Sequence, residues 1–90
     1  MNTYKYIIGE RVSKQKTQHI YKFPNGYGAS VIGWKYSNEE NEYEIGVIRF
    51  FDENNYYLVY NTPVAKDVII GVPFDDLDNH LEKIYKLPHV

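Results

Sequence analysis

The residues of this chain that could do chemistry are few and scattered. His19, His80 and His89 are its three histidines, and no two stand at a metal-ligand spacing. Asp76 and His80 are four apart and would share a helix face, but two ligands fall short of a metal site. The run Asp75-Asp76-x-Asp78 lacks the remaining ligands of a calcium loop, and acids there suit the first turn of a helix as caps and dipole partners. Ser13, Ser30 and Ser37 occur without a nucleophile elbow, and Gly26-Tyr27-Gly28 lacks the strand, loop and helix order of a phosphate cradle. Glu42 with Glu44, and Asp52 with Glu53, fall at expected loops with no apolar pocket to separate their pKa values. The expectation is therefore no catalysis, no metal and no cofactor, which leaves binding.

Composition bounds what can bind. Ninety residues suit one domain with a single core, 1–90, and are too few for two. The chain has no cysteine, which excludes disulfides and thiolate chemistry and fits a reducing, cytoplasmic compartment. Ile7 and Ile8 are the only strongly apolar pair near the start, and no run is long enough to span a bilayer, so no membrane association is expected. A net charge of −2 argues against a general attraction to duplex DNA. Charge is uneven: Lys5, Arg11, Lys14, Lys16 and Lys22 lie early, whereas Glu39, Glu40, Glu42, Glu44, Asp52 and Glu53 gather around two central loops.

The elements that must position any binding surface are mostly strands. Residues 1–18 read as an N-terminal arm, with a weak strand over 3–12 and a polar loop over 13–18. Residues 19–61 read as a meander. Its first hairpin turns at Pro24-Asn25-Gly26, because Asn-Gly tolerates the positive φ of a tight turn. The returning strand, 28–36, places Ser30, Ile32, Trp34 and Tyr36 on one face. Strands over 43–51 and 56–60 follow, the first apolar on both sides and therefore central. Pro63 takes the chain out of the sheet, and 68–72 is a short apolar link or fifth strand. Phe74, Leu77, Leu81, Ile84 and Leu87 then recur at helical spacing, so 73–87 is the one helix. The fold class is α+β: a four- to five-stranded antiparallel meander with one C-terminal amphipathic helix.

That helix, about 20 Å long at 1.5 Å per residue, can cover only one face of such a sheet. If it covers Val31, Val47 and Leu58, the other face carries Trp34 and Tyr36 and draws on Tyr21, Tyr56, Tyr57 and Tyr60. Ten tyrosines in so small a chain can either fill the core or present a surface that is wet alone and dry when bound. The candidate partner-binding residues are Trp34, Tyr36, Tyr56 and Tyr57 as aromatic anchors, with Glu39, Glu40 and Glu42 as an acidic rim. An alternative is a single-stranded nucleic-acid module, its rings stacking bases beside Lys22, Lys35 and Arg49. The acidic loops and the lack of an RNP-like motif weigh against it. A homodimer or larger structural oligomer is the third reading.

At Phe23-Pro24-Asn25-Gly26-Tyr27-Gly28-Ala29-Ser30-Val31, Tyr43-Glu44-Ile45-Gly46-Val47, Tyr60-Asn61-Thr62-Pro63-Val64 and Asp67-Val68-Ile69-Ile70-Gly71, the chain resembles a group of small phage and prophage proteins of Gram-positive bacteria. The resemblance spans about residues 20–87 and carries no catalytic residue. It implies a setting in which small proteins bind a host protein or nucleoprotein complex stoichiometrically, including inhibition of CRISPR or restriction nucleases in the host cytoplasm.

Overall fold

Alternation and helical spacing resolve into six strands and one helix in the computed structural model, which describes residues 2–34 and 42–89. A 3-10 turn at Tyr4–Tyr6 leads into β1 (Ile7–Val12), followed by β2 (Lys16–Lys22), β3 (Tyr27–Trp34), β4 (Glu42–Phe50), β5 (Tyr56–Leu58), β6 (Ile69–Pro73) and α1 (Phe74–Tyr85). All pairings are antiparallel, in the order β1-β2-β3-β4-β5, with β6 also on β4. This is the α+β architecture expected from sequence, with the sheet extended at both ends.

The N-terminal arm belongs to the sheet. Residues 4–6 form a turn rather than strand, and β2 begins at Lys16, inside the segment expected to be a loop. The period-two signal at Lys16, Gln18, Ile20 and Lys22 is masked because that side of the strand faces away from the helix, where polar residues are tolerated. Ser13 turns the β1–β2 hairpin: its N–H donates to the Lys16 carbonyl at 2.9 Å.

The strand expected over 56–60 is the shorter β5, and it shares its edge of β4 with β6. Leu58 sits opposite Ile48, Ile69 opposite Ile45 and Val72 opposite Tyr43, so β5 and β6 occupy successive stretches of one side of β4. Between them the chain makes an excursion that cannot pair through Pro63. Val59 makes the last contact, donating its N–H to the Val47 carbonyl at 2.9 Å. Val59, Val64, Ala65 and Ile69 pack against the main core.

That core lies between α1 and the sheet face bearing Tyr21, Ala29, Val31, Ile45 and Val47, with Val72, Leu81, Ile84 and Leu87 completing it. Each large side chain buried here stabilises the fold by roughly 1.5–3 kcal/mol. Two expectations about the faces are corrected by the register. Tyr21 pairs across from Ala29 and lies in the core, and Leu58 pairs with Ile48 on the far side of the sheet. Much of the tyrosine is therefore structural: Tyr6, Tyr21, Tyr27, Tyr43 and Tyr85 all lie in or against this core. Tyr6 packs on Phe23 with centroids 5.4 Å apart at 76°, and Phe23 meets Tyr85 at 5.7 Å and 89°, both edge-to-face.

The acids at the start of α1 do not cap it. Pro73 is the N-cap and offers no side-chain hydrogen bond. Asp76 instead accepts from Asn79 Nδ2 and lies against His80 Nε2, both at 3.0 Å, and these contacts hold its carboxyl below the usual range, Asn79 chiefly. Asp78 accepts the Thr3 hydroxyl at 2.7 Å and so ties the N-terminal turn to the helix. The first-turn acids retain their favourable place against the dipole.

Capping is concentrated at the other end of the helix. The β2–β3 turn closes when Gly26 donates to the Phe23 carbonyl at 3.3 Å, and within this turn it is Gly26 that takes a positive φ, of 90°. Asn25 keeps a negative φ and has a different task. Its buried amide nitrogen donates towards the carbonyls of Ile84, Tyr85 and Leu87 at 2.9, 3.0 and 3.0 Å, while its Oδ1 accepts the Tyr27 N–H at 3.0 Å. A turn residue thereby satisfies carbonyls that the end of α1 would otherwise orphan.

Tyr21 is only 4% exposed, and its phenol is pushed up to about 12, first by burial and then by Tyr4, Asp78 and Tyr43. A folded-state pKa raised above the unfolded value means that the native state holds the proton more tightly. Stability from this group is complete below pH about 10 and is lost as pH rises towards 12. Alkaline denaturation curves should show this loss, and Tyr21→Phe should flatten it relative to the parent. Equal slopes for both proteins would remove Tyr21 as its source.

Candidate functional site

The sheet has a second face, and α1 does not cover it. Residues paired across strands share a face, so Ile20, Ser30 and Gly46 form one row, and Lys22, Gly28, Ile48 and Leu58 the next. Ile32 with Gln18 and Glu44 flank the first row, and Phe50 with Tyr56 flanks the second. The helix packs on β3, β4 and β6 from the opposite side. Among the described residues no further helix or strand lies across this face.

The face is curled rather than flat. Lys22 Nζ donates to the Glu53 carbonyl at 2.9 Å, joining β2 to the β4–β5 turn. Asn54 and Tyr56 share a cleft of about 240 Å³ with Ile8, Gly9, Arg11 and Ile20, which come from the strands at the opposite edge of the sheet. Gly28 permits the tight approach beneath: a Cβ there would stand 2.0 Å from the Tyr21 carbonyl oxygen and 2.8 Å from the Phe50 ring. Ile48 and Phe50 are thus buried on the side away from the helix, while Leu58 and Tyr56 remain 43% and 39% exposed.

Of the sequence candidates, Trp34, Glu42 and Tyr56 lie on this face. Trp34 ends β3, one position beyond the Gly33–Tyr43 pair, beside Glu42 at the exposed start of β4. Lys16 Nζ lies 5.3 Å from the Trp34 ring centroid. Tyr56 is at the opposite end of β4, paired with Phe50 and packed on its ring at 5.3 Å. Trp34 and Tyr56 therefore share a face but stand roughly 25 Å apart along the strands. Tyr57 points to the other side and stacks on Phe51 at 6.1 Å, so it does not join this surface. Tyr36, Glu39 and Glu40 lie outside the described residues.

Of the cations considered for nucleic acid, Lys22 is on this face, 5.1 Å from the Phe50 ring, whereas Arg49 pairs with Tyr57 on the other side. Lys35 lies outside the described residues. Sequence reasoning missed Arg11, Lys16, Gln18 and Ile20, all placed here by the β1–β2 and β2–β3 registers. Gln18 Nε2 donates to Ser30 Oγ at 2.8 Å near the centre. The histidines are elsewhere: His19 pairs with Glu10 at 2.7 Å on the helix side of the sheet, and His80 with Asp76. Among the described residues no three of His, Cys, Asp and Glu gather to hold a metal ion, and no helix is long and apolar enough to cross a membrane.

Compared with known protein families, curated proteins and solved structures, the chain matches none. The face itself offers aromatic and aliphatic surface interleaved with Lys16, Lys22 and Arg11 around a polar centre. That arrangement suits recognition.

Proposed function

We propose that the protein is a binding module that acts by occupying a partner protein with the sheet face α1 leaves open. The observation that carries this reading is one-sided coverage, with Ile32, Trp34, Tyr56 and Leu58 on the uncovered side. The resemblance to small phage and prophage proteins supports a finer form: a stoichiometric inhibitor of a host defence nuclease complex, of the CRISPR or restriction kind, working in the host cytoplasm. In that form Glu42 contributes to an acidic rim facing a basic channel of the target.

Leu58→Lys tests the face, because a half-exposed leucine can be replaced by a long-stemmed lysine with little loss of fold. Tagged parent and variant would be compared for capture from lysate of a Gram-positive host, with and without nuclease, after circular dichroism confirms that both are folded. A protein held by the parent after nuclease treatment and bound at least about tenfold more weakly by the variant supports the reading. Equal capture by both proteins overturns the assignment of this face.

A second reading has its own observation. Lys16 over Trp34 and Lys22 over Phe50 place cations beside rings, as surfaces that stack single-stranded bases do. Recovery of nucleic acid alone in the same experiment, or of proteins lost on nuclease treatment, favours that reading. A fluorescence titration with short oligonucleotides across salt then measures it directly.

A further inference from the structure

Charge is sorted by sign across the open face. Among the described residues its cations are Arg11 of β1 with Lys16 and Lys22 of β2, its acids are Glu42 and Glu44 of β4, and β3 between them carries no charge. One row shows the sorting from end to end: Arg11 pairs with Gln18, Gln18 with Ile32 and Ile32 with Glu44, in line across β1 to β4. Three strand spacings of about 4.8 Å put roughly 14 Å between the backbones of the two charged ends. Neither Arg11 nor Glu44 forms an ion pair with another described residue. The middle of the row is neutral, and Gln18 is already engaged there by Ser30 Oγ at 2.8 Å.

The curl of the sheet decides what an approaching surface meets. Lys22 reaching the Glu53 carbonyl, and Tyr56 sharing a cleft with Arg11 and Ile20, bring the two edges towards each other on this face. The ends of the row therefore stand above its middle, and Arg11 and Glu44 are met first. A complementary surface must carry an acid and a base at the same separation and in the reverse order. This chain carries such a surface itself. A two-fold axis lying in the interface, parallel to the strands and midway between β2 and β3, exchanges the ends of the row. Arg11 of each copy then meets Glu44 of the other, twice by symmetry.

We infer that the free protein covers its open face with a second copy of itself, in this register. The inference shares with the function proposed above only the premise that this face is the docking surface, and it adds a regulation: a partner protein gains the face by displacing the second copy. The size of the face agrees with a displaceable occupant. Four strands by about five residues span roughly 19 by 17 Å, well short of the roughly 800 Å² per partner of a stable complex. Charge pairs at the rim of so small a contact set its register and make it sensitive to salt.

The test is analytical ultracentrifugation of the full chain over a concentration series, at low and high salt, with Arg11→Glu, Glu44→Arg and the double variant alongside. Circular dichroism first confirms that each is folded. The parent should show a reversible monomer–dimer equilibrium that weakens with salt. Each single reversal places like charges together twice and should weaken the dimer at least about tenfold, whereas the double variant restores both pairs with exchanged polarity and should return to within about threefold of the parent. If Glu44→Arg is poorly folded, Arg11→Glu, at an exposed position, and the isosteric Glu44→Gln decide in its place, each weakening the dimer at least about threefold. A parent that stays monomeric at about 1 mM overturns the inference, and leaves the partner reading to stand or fall on capture by Leu58→Lys. Single reversals that dimerise like the parent, or a double variant no better than either single, overturn the register and with it the inference.

Discussion

Asn25→Asp is expected to destabilise the protein by about 4 kcal/mol or more at neutral pH, enough to unfold many domains of this size. The change keeps the side-chain shape and replaces the amide donors with a carboxylate. That carboxylate would face the carbonyls of Ile84, Tyr85 and Leu87, which the amide now meets at 2.9 to 3.0 Å. It would also sit at the negative end of the α1 dipole. Asn25→Ala removes the donors without adding charge and should cost about 2–3 kcal/mol, or about 10–20 °C in melting temperature.

The pH dependence separates charge from shape. A buried, unsolvated carboxyl has its pKa raised above the unfolded value, so the penalty of Asn25→Asp should shrink as pH falls towards the unfolded carboxylate pKa near 4. Asn25→Ala should show no such recovery. Chemical denaturation of the three proteins at neutral and mildly acidic pH measures both effects. If Asn25→Asp proves as stable as the parent at neutral pH, the turn does not hold the helix end.

Gly28→Ala is the second large effect, expected at about 3 kcal/mol or more. The new methyl would stand 2.0 Å from the backbone oxygen of Tyr21 on the paired strand, where no rotamer change can make room, and 2.8 Å from the Phe50 ring. Relief requires β2 and β3 to separate, which also unbuilds the curl that buries Phe50. Gly9→Ala is the control. Its nearest atom would be Ile20 Cβ at 3.9 Å, an ordinary contact, so its stability should stay within about 0.5 kcal/mol of the parent. Comparable losses in the two variants would mean that a general glycine effect, not the close approach at Gly28, controls this part of the sheet.

The two positions show what sequence conceals. Asn25-Gly26 is legible as a turn from residue type alone, and Gly26 does take the positive φ that such a turn needs. Nothing local reveals that Asn25 also serves a helix about sixty residues away, with separations of 59, 60 and 62 to its acceptors. In sequence Gly28 marks only the start of the returning strand over 28–36. That Tyr21 and Phe50 press on it from two sides is a fact of register and curl.

The candidate surface divides in the same way. Alternation along β3 is strict enough that residue order alone puts Ile32 and Trp34 on a common face with Ser30, and the pairing with β4 agrees. Tyr56 and Tyr57 are adjacent and must point oppositely in a strand, so a site containing both could not survive pairing with β4. Lys16, Gln18 and Ile20 are hidden in the sequence because a strand with one wet side resembles a loop when only hydrophobicity is read.

Taken alone, the chain specifies the elements whose signals are local: the Asn-Gly hairpin, the apolar central strand β4, the Pro63 exit and the 3.6-residue spacing of α1. These follow from backbone stereochemistry and side-chain period, which neighbouring residues share. Long-range packing settles which sheet face α1 covers, that Tyr21 lies inside and Leu58 opposite, and that β5 and β6 divide one edge of β4. It also brings Thr3 to Asp78, 75 residues apart. Those outcomes depend on register and on which apolar surfaces bury most area together, and neither is a property of any short stretch of chain.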